Sequence, residues 1–461
     1  MAMDFSFRET QVSPKQLRLA EILGALTFAL DMTEGQPQGH SVRCCWIGLL
    51  IAEELKLNDS QRWELYYTLL LKDLGCSSNA ARICQLYLVD DLNFKQDFKL
   101  INGSLPQALR CVMSHTGLKS GLAERFRAII NIFQNGGEIS QELIETRCTR
   151  GADIARQMRF GETIAQGIHD LDEHFDGSGK PLGKKGDEIS LYSRIALLAQ
   201  VVDVFHTSGD EEGARKEVEN RNGTWFDPAI AKAFRAVAAR PSFWDALKST
   251  DLREMIADLE PQNVEVNFDE DYLDDIAQGF AQVVDAKSPF TKGHSERVAL
   301  YADLIAEVLG LSNSHRRWLK RAALLHDIGK LGVSNSILDK PGKLDAAEWI
   351  YMRNHASDTE AILARISVFK TMAPIAAAHH ERLDGKGYPK GLKGDEIAIE
   401  SRILAVADIF DALTADRPYR AAMPIAKALG IMADDVDKAI DGRCFAALKL
   451  ALAKMNTSIA A

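Results

Sequence analysis

At 461 residues, 46% of them apolar, the chain is too long for one ordinary core and too apolar to be disordered, so a soluble protein of about two domains is expected. A net charge of −10 excludes a nonspecific binder of duplex DNA or of anionic membrane, and leaves room only for a local basic pocket. The opening MAMDFSFRET lacks the basic segment of a secretory signal. The apolar run at 22–30 is stopped by Asp31, far short of the roughly 20 residues that span a bilayer. Seven cysteines without a CxxC pair fit a reduced, cytoplasmic protein whose thiols pack as small apolar side chains.

Taken in chain order, four landmarks appear and then repeat. GHSVR (39–43), LLLKDLGC (69–76), DGSGKPLGKKGDEISLYSRI (176–195) and NGTWFDP (222–228) come first. An acidic stretch between about 245 and 268, containing Pro261, separates them from GHSERV (293–298), ALLHDIGK (323–330), DGKGYPKGLKGDEIAIESRI (384–403) and DGRCFAA (441–447). His40 lies 32 residues before Lys72, and His294 lies 32 before His326. Lys72 and Arg147 are 75 apart where His326 and His355 are 29 apart, so the first copy carries 46 more residues there. Apolar positions recur at helical steps: His294, Val298, Tyr301, Ile305 and Val308; Leu319, Ala322, Ala323 and His326; Met352, His355, Thr359, Ile362 and Ile366. The stretch 402–413 is apolar nearly all round, and alternating patterns are scarce. The expected fold is all-α, with one fold present twice: residues 1–250, a linker at 251–268, and residues 269–461.

The second copy places His294, His326, Asp327, His355, His379, His380 and Asp408 on buried helical faces. A lone histidine on an apolar face is ordinarily a satisfied core residue. Five of them with two aspartates would each need a partner of its own, whereas a metal cluster satisfies all seven. Imidazole with carboxylate suits iron, manganese, zinc or nickel, and the absence of cysteine argues against a closed structural zinc site. Seven ligands exceed the need of one ion. Two ions about 3.5–4 Å apart, with Asp327 or a water as bridge, would activate water and clamp the oxygens of a phosphate undergoing in-line displacement. Lys330 is expected one turn after His326 on the same face. Arg417 and Arg420 could hold phosphate oxygens or stand as solvated surface bases. Gly385 and Gly387 let the loop approach a ligand closely, and Tyr388 could stack on a base or pack against the domain.

In order along the chain, GHSERV, LLHDIGK, ILDKPGKLDAAEWIYMRNH, HHERLDGKGYPKGLKGDEI and RILAVADIFDALTADRPYR resemble the HD-GYP domain of the HD phosphohydrolase superfamily, over about residues 285–450. The resemblance implies two tandem HD-type helical domains and a bi- or trinuclear centre, usually of iron or manganese. It also implies hydrolysis of cyclic di-GMP to the linear dinucleotide or GMP in bacterial signalling. Carried over by position, it makes the seven residues above metal ligands. Lys330, Arg417 and Arg420 become phosphate contacts, with Asp327 and Lys330 closest to the chemistry. Members with three metals have a glutamate one turn before the first histidine. Phe290 stands there in this chain, so two divalent ions are expected.

The first copy retains only His40 and Asp73. Lys72, Arg147, Leu171 with Asp172, and Gln200 stand at the other ligand positions, so this copy is expected to be non-catalytic and to serve in dimerisation, in regulation of the second copy, or in binding a partner or nucleotide. Two other functions stay open: a receptor that binds the nucleotide without turnover, and an enzyme for another substrate such as a mixed cyclic dinucleotide.

Overall fold

In this computed structural model residues 19–100, 105–118, 121–261, 269–417 and 420–459 are described. They form helices joined by turns, with isolated bridges and no β-strand among the described residues. They fall into two compact units, one built on 19–261 and the other on 269–333 and 337–459.

The first unit contains α1 (Leu19–Thr33), α2 (His40–Glu54), α3 (Asp59–Leu71), the 36-residue α4 (Leu122–Gln157) and α5 (Leu191–Ser208). Helix α2 lies at its centre, packed on α1, α3 and α5. The second unit contains α6 (Glu270–Asp285), α7 (His294–Val308), α8 (Asn313–Leu325), α9 (Ala346–Leu363) and α10 (Ile399–Thr414). Here α7 is central, packed on α6, α8 and α10. The two units repeat each other in detail. Helices α2 and α7 both run 15 residues, and each follows a glycine held at positive φ, Gly39 at 86° and Gly293 at 67°. That left-handed geometry costs glycine little, so the chain can turn sharply into a helix whose first residue is a histidine. Behind each histidine, Ser41 is bonded to Asp31 and Ser295 to Asp285 through side chain and backbone alike.

Local sequence explains where the site-bearing helices begin. Ser312 accepts from the His315 amide to start α8, and Asp345 with Glu348 forms a capping box that starts α9. Helix α10 buries Ile403, Leu404, Ala405, Val406, Ala407 and Phe410, so its one deeply set acid in that run, Asp408, needs a partner.

Three expectations require correction. His326 and Asp327 do not continue a helix: α8 ends at Leu325, His326 caps it, and a tight 3₁₀ turn runs Ile328–Gly332 with Lys330 inside it. Ile366 lies beyond the end of α9. Within the stretch assigned to the linker, Leu252–Asp258 is a helix whose Leu252 and Ile256 are buried and which packs on α2, so it belongs to the first unit's core; 262–268 lie outside the described residues. No helix among the described residues is long and apolar enough to cross a membrane. All seven cysteines are unpaired, six of them buried.

Candidate metal centre

Four elements of the second unit converge on one carboxylate. Asp327, buried, turns one oxygen towards His294 and His326, whose Nε2 atoms stand 3.4 and 3.3 Å away. Its other oxygen faces the Nε2 atoms of His355 and His379 at 3.5 and 3.6 Å. Asp408 adds an oxygen 3.4 Å from His294 Nε2 and 4.0 Å from His326 Nε2. Its second oxygen lies 3.9 Å from Nδ1 of His380, whose ring centre is 3.9 Å from that of His379. All seven sequence-derived candidates are therefore brought together.

The remaining nitrogen of three of these imidazoles is already spoken for. Nδ1 of His326, His355 and His379 donates to the carbonyls of Ala323, Met352 and Ala376, at 2.6, 2.5 and 2.6 Å. These bonds fix the tautomer and turn a bare Nε2 lone pair inward. His294 Nε2, His326 Nε2 and Asp327 Oδ1 are buried without a hydrogen-bond partner, a costly arrangement unless something else binds them. Two orphaned imidazole nitrogens and one orphaned oxygen of the shared carboxylate fit a divalent cation, and the nitrogen–oxygen donor set suits a transition metal.

Electrostatics agree. Burial, with neighbouring positive charge, pulls His355 down to about 4 and His379 to about 3, and holds His380 well below its usual range, so these rings are neutral and able to ligate. Burial works against the charge of Asp327, yet His326 and Lys330 hold it well below the usual carboxylate range. His294 is the exception: burial again opposes charge, but Asp327, Asp411 and Asp408 push it up to about 9. At 3.4 Å from two carboxylates its Nε2 lacks good hydrogen-bond geometry, and the pull is that of negative charge awaiting a cation.

Beyond these seven residues stands Asp411, which the sequence did not single out. It accepts from His294 Nδ1 at 2.7 Å and is clamped by Arg297 Nε at 2.6 Å. Its signal was present: it lies one turn after Asp408, and Asp203 holds the same place in the first copy. Thr359 donates to the His326 carbonyl and accepts from the Gly329 amide, tying the 3₁₀ turn to α9. Glu381 accepts the backbone amides of Lys390, Gly391 and Leu392 and so shapes the GYP loop, where the Tyr388–Pro389 bond is cis.

The expected phosphate contacts divide. Lys330 pairs with Asp327 at the centre. Tyr388 is half-buried with its ring 4.8 Å from that of His380. Arg420 is used elsewhere: its guanidinium donates to the carbonyls of Ala412, Leu413 and Ala421, closing the end of α10. Arg417 is joined to Arg420 by paired backbone hydrogen bonds, and 418–419 between them lie outside the described residues.

In the first unit the same geometry is closed by a side chain. Lys72, at the His326 position, sets its ammonium 3.0 Å from His40 Nε2 and pairs with Asp73. His40 Nδ1 bonds Asp203 at 2.6 Å, with Arg43 behind it, just as His294 bonds Asp411 with Arg297. Arg147, at the His355 position, pairs with Asp172. The framework around the first histidine survives, and the cation is the protein's own.

Comparison with known proteins agrees with this geometry. The family model described as HD domain matches residues 113–230 and 279–444. The chain is 54% identical over 441 residues to 3'3'-cGAMP-specific phosphodiesterase 3 of Vibrio cholerae, covering 96% of each chain. It is 41% identical over 170 residues to a cyclic di-GMP phosphodiesterase response regulator of Xanthomonas campestris, covering 36% of this chain and 45% of that one. The crystal structure of a cyclic GMP-AMP-specific phosphodiesterase from V. cholerae matches with a TM-score of 0.65 at 50% identity, over 94% of this chain and 97% of that chain. On this match along nearly its whole length, the chain belongs to the HD-domain family, and within it to the HD-GYP group.

Proposed function

We propose that the chain is a metal-dependent phosphodiesterase that opens a cyclic dinucleotide at its second unit, with 3'3'-cGAMP as substrate. The observation that carries the chemistry is Asp327, one carboxylate with each oxygen facing a separate pair of imidazole nitrogens, its Oδ1 and the Nε2 atoms of His294 and His326 buried without a hydrogen-bond partner. The choice of substrate is supported by the near-full-length relative named for 3'3'-cGAMP. Cyclic di-GMP, the substrate the HD-GYP resemblance implies, is the second reading, favoured by relatives of 40–41% identity that align over about a third of the chain.

On this reading His294, His326, Asp327 and Asp408 would hold one divalent ion and Asp327, His355, His379 and His380 a second, with iron or manganese the natural occupants. Bound there, such ions activate water for attack and neutralise charge on the phosphate. Hydrolysis forms one bond from water oxygen to phosphorus and breaks the P–O3′ bond, giving a linear dinucleotide. His326, His355 and His379 contribute by turning Nε2 inward in fixed directions. Lys330, at the Asp327 carboxylate, offers its ammonium to a non-bridging phosphate oxygen. Tyr388 walls the site beside His380. The first unit is a non-catalytic domain, because the Lys72 ammonium occupies the place between His40 and Asp73 that a metal would need.

The test is turnover of 3'3'-cGAMP, cyclic di-GMP and cyclic di-AMP by anaerobically purified, metal-analysed protein. Hydrolysis of 3'3'-cGAMP is expected, with Asp327→Ala losing metal and turnover together. Metal-loaded protein that binds these rings and leaves them intact would sink the reading. Faster turnover of cyclic di-GMP would reverse the choice of substrate.

A further inference from the structure

Helix α9 turns His355 into the centre; at about 100° per residue Trp349 and Arg353, one turn apart, stand roughly 120–160° round the helix from it, and Tyr388 bridges the gap. The Arg353 guanidinium lies 5.7 Å from the Trp349 ring centre and 5.4 Å from that of Tyr388. Tyr388 in turn leans on His380 at 4.8 Å. A ladder of planar groups thus runs outward from the metal ligands: His380, Tyr388, Arg353, Trp349. Its outer end is open, with Arg353 exposed and Trp349 43% exposed, whereas Trp244 of the first unit is 2% exposed.

Arg353 differs from other arginines of its unit. Arg316, Arg317 and Arg321 are each paired with two carboxylates. Among the described residues no carboxylate pairs with Arg353. Two aromatic rings fix the place of its planar head, and its N–H edges remain available. Its fork of donors matches two acceptors side by side, as guanine presents at O6 and N7. Adenine presents a donor at N6 in the same place.

We infer that Arg353, held between Trp349 and Tyr388, reads a guanine of the bound cyclic dinucleotide. This rests on the proposed phosphodiesterase reading and adds to it the residue that distinguishes guanine from adenine.

Steady-state kinetics of the full-length, metal-loaded protein test it, with KM for cyclic di-GMP and 3'3'-cGAMP, and the inhibition constant of cyclic di-AMP against 3'3'-cGAMP turnover. Arg353→Ala is expected to raise KM for both guanine-containing rings by about ten-fold or more, and the cyclic di-AMP constant by less than about three-fold. Metal content, measured alongside, is expected to match wild type. Arg353→Lys keeps the charge without the fork and is expected to behave like the alanine variant. Arg353→Gln, whose amide suits adenine N6 and N7, is expected to shift preference towards cyclic di-AMP. An equal loss across all three rings would overturn the inference in favour of a phosphate contact, and unchanged constants would overturn it outright, both leaving the enzyme reading intact. Wild-type protein that hydrolyses none of the rings overturns that reading and this inference with it.

Discussion

Three of the five inward histidines are aimed by one device, an Nδ1–H donated to the carbonyl three residues back. His294, first in its helix, has no such carbonyl within α7 and uses Asp411, itself clamped by Arg297. Asp411→Asn keeps the shape and removes the charge. Metal titration is expected to show affinity down by about 10–100-fold, with the fold unchanged by circular dichroism. Lys330→Ala is expected to lower kcat while metal content stays near wild type, since Lys330 touches Asp327 and is no ligand; loss of metal as well would refute its assignment to phosphate. At this scale the convergence of the seven residues was legible, because buried histidines at helical steps leave few other accounts of themselves. Asp411 was not, because an acid one turn after another reads as an ordinary helix surface until its partner across 117 residues is known. Arg420 misled for the converse reason: a guanidinium's chemistry is written in the sequence, but which acceptors reach it first is decided by the chain's path.

The HD dipeptide lies where α8 gives way to a 3₁₀ turn, and that turn presses on α9. A Cβ built on Gly329 would lie 2.0 Å from the His355 carbonyl oxygen, and one on Gly75 would lie 1.9 Å from that of Arg147. In both units, then, a glycine lets the segment after the HD position touch the next site-bearing helix. Gly329→Ala must push α9 away. It is expected to cost about 1–3 kcal/mol by urea unfolding and to reduce metal content, because His326, Asp327 and His355 separate together. Periodicity placed the helices well but carried α8 two residues too far, since apolar spacing does not register where a helix tightens into a 3₁₀ turn.

Among the described residues the two units share one frame around their first histidine, where the sequence landmarks repeat. What the landmarks did not announce was how the first version closes: Lys72 takes Asp73 and His40 together, leaving Asp172 to Arg147. Burial and the neighbouring Lys72 charge hold His40 at about 4, below its ordinary 6.5. Between those values the unfolded chain binds a proton that the folded chain does not, so this group's contribution falls as pH drops through the window. His40→Asn is expected to flatten the loss of first-unit stability between pH 6.5 and 4, followed by urea midpoints at several pH values. Removing metal with a chelator is expected to lower the melting temperature of one calorimetric transition and leave the other in place.

The ammonium of Lys72 is tethered to the backbone, and a tethered cation is exempt from mass action. A bound ion stabilises its site only as far as its free concentration exceeds its dissociation constant, about 2.7 kcal/mol at a hundred-fold excess. The first unit is therefore indifferent to how much metal its surroundings contain, while the second gains or loses stability with supply. In scarcity the same polypeptide would keep one half folded by its own chemistry and hold the other on loan from the environment.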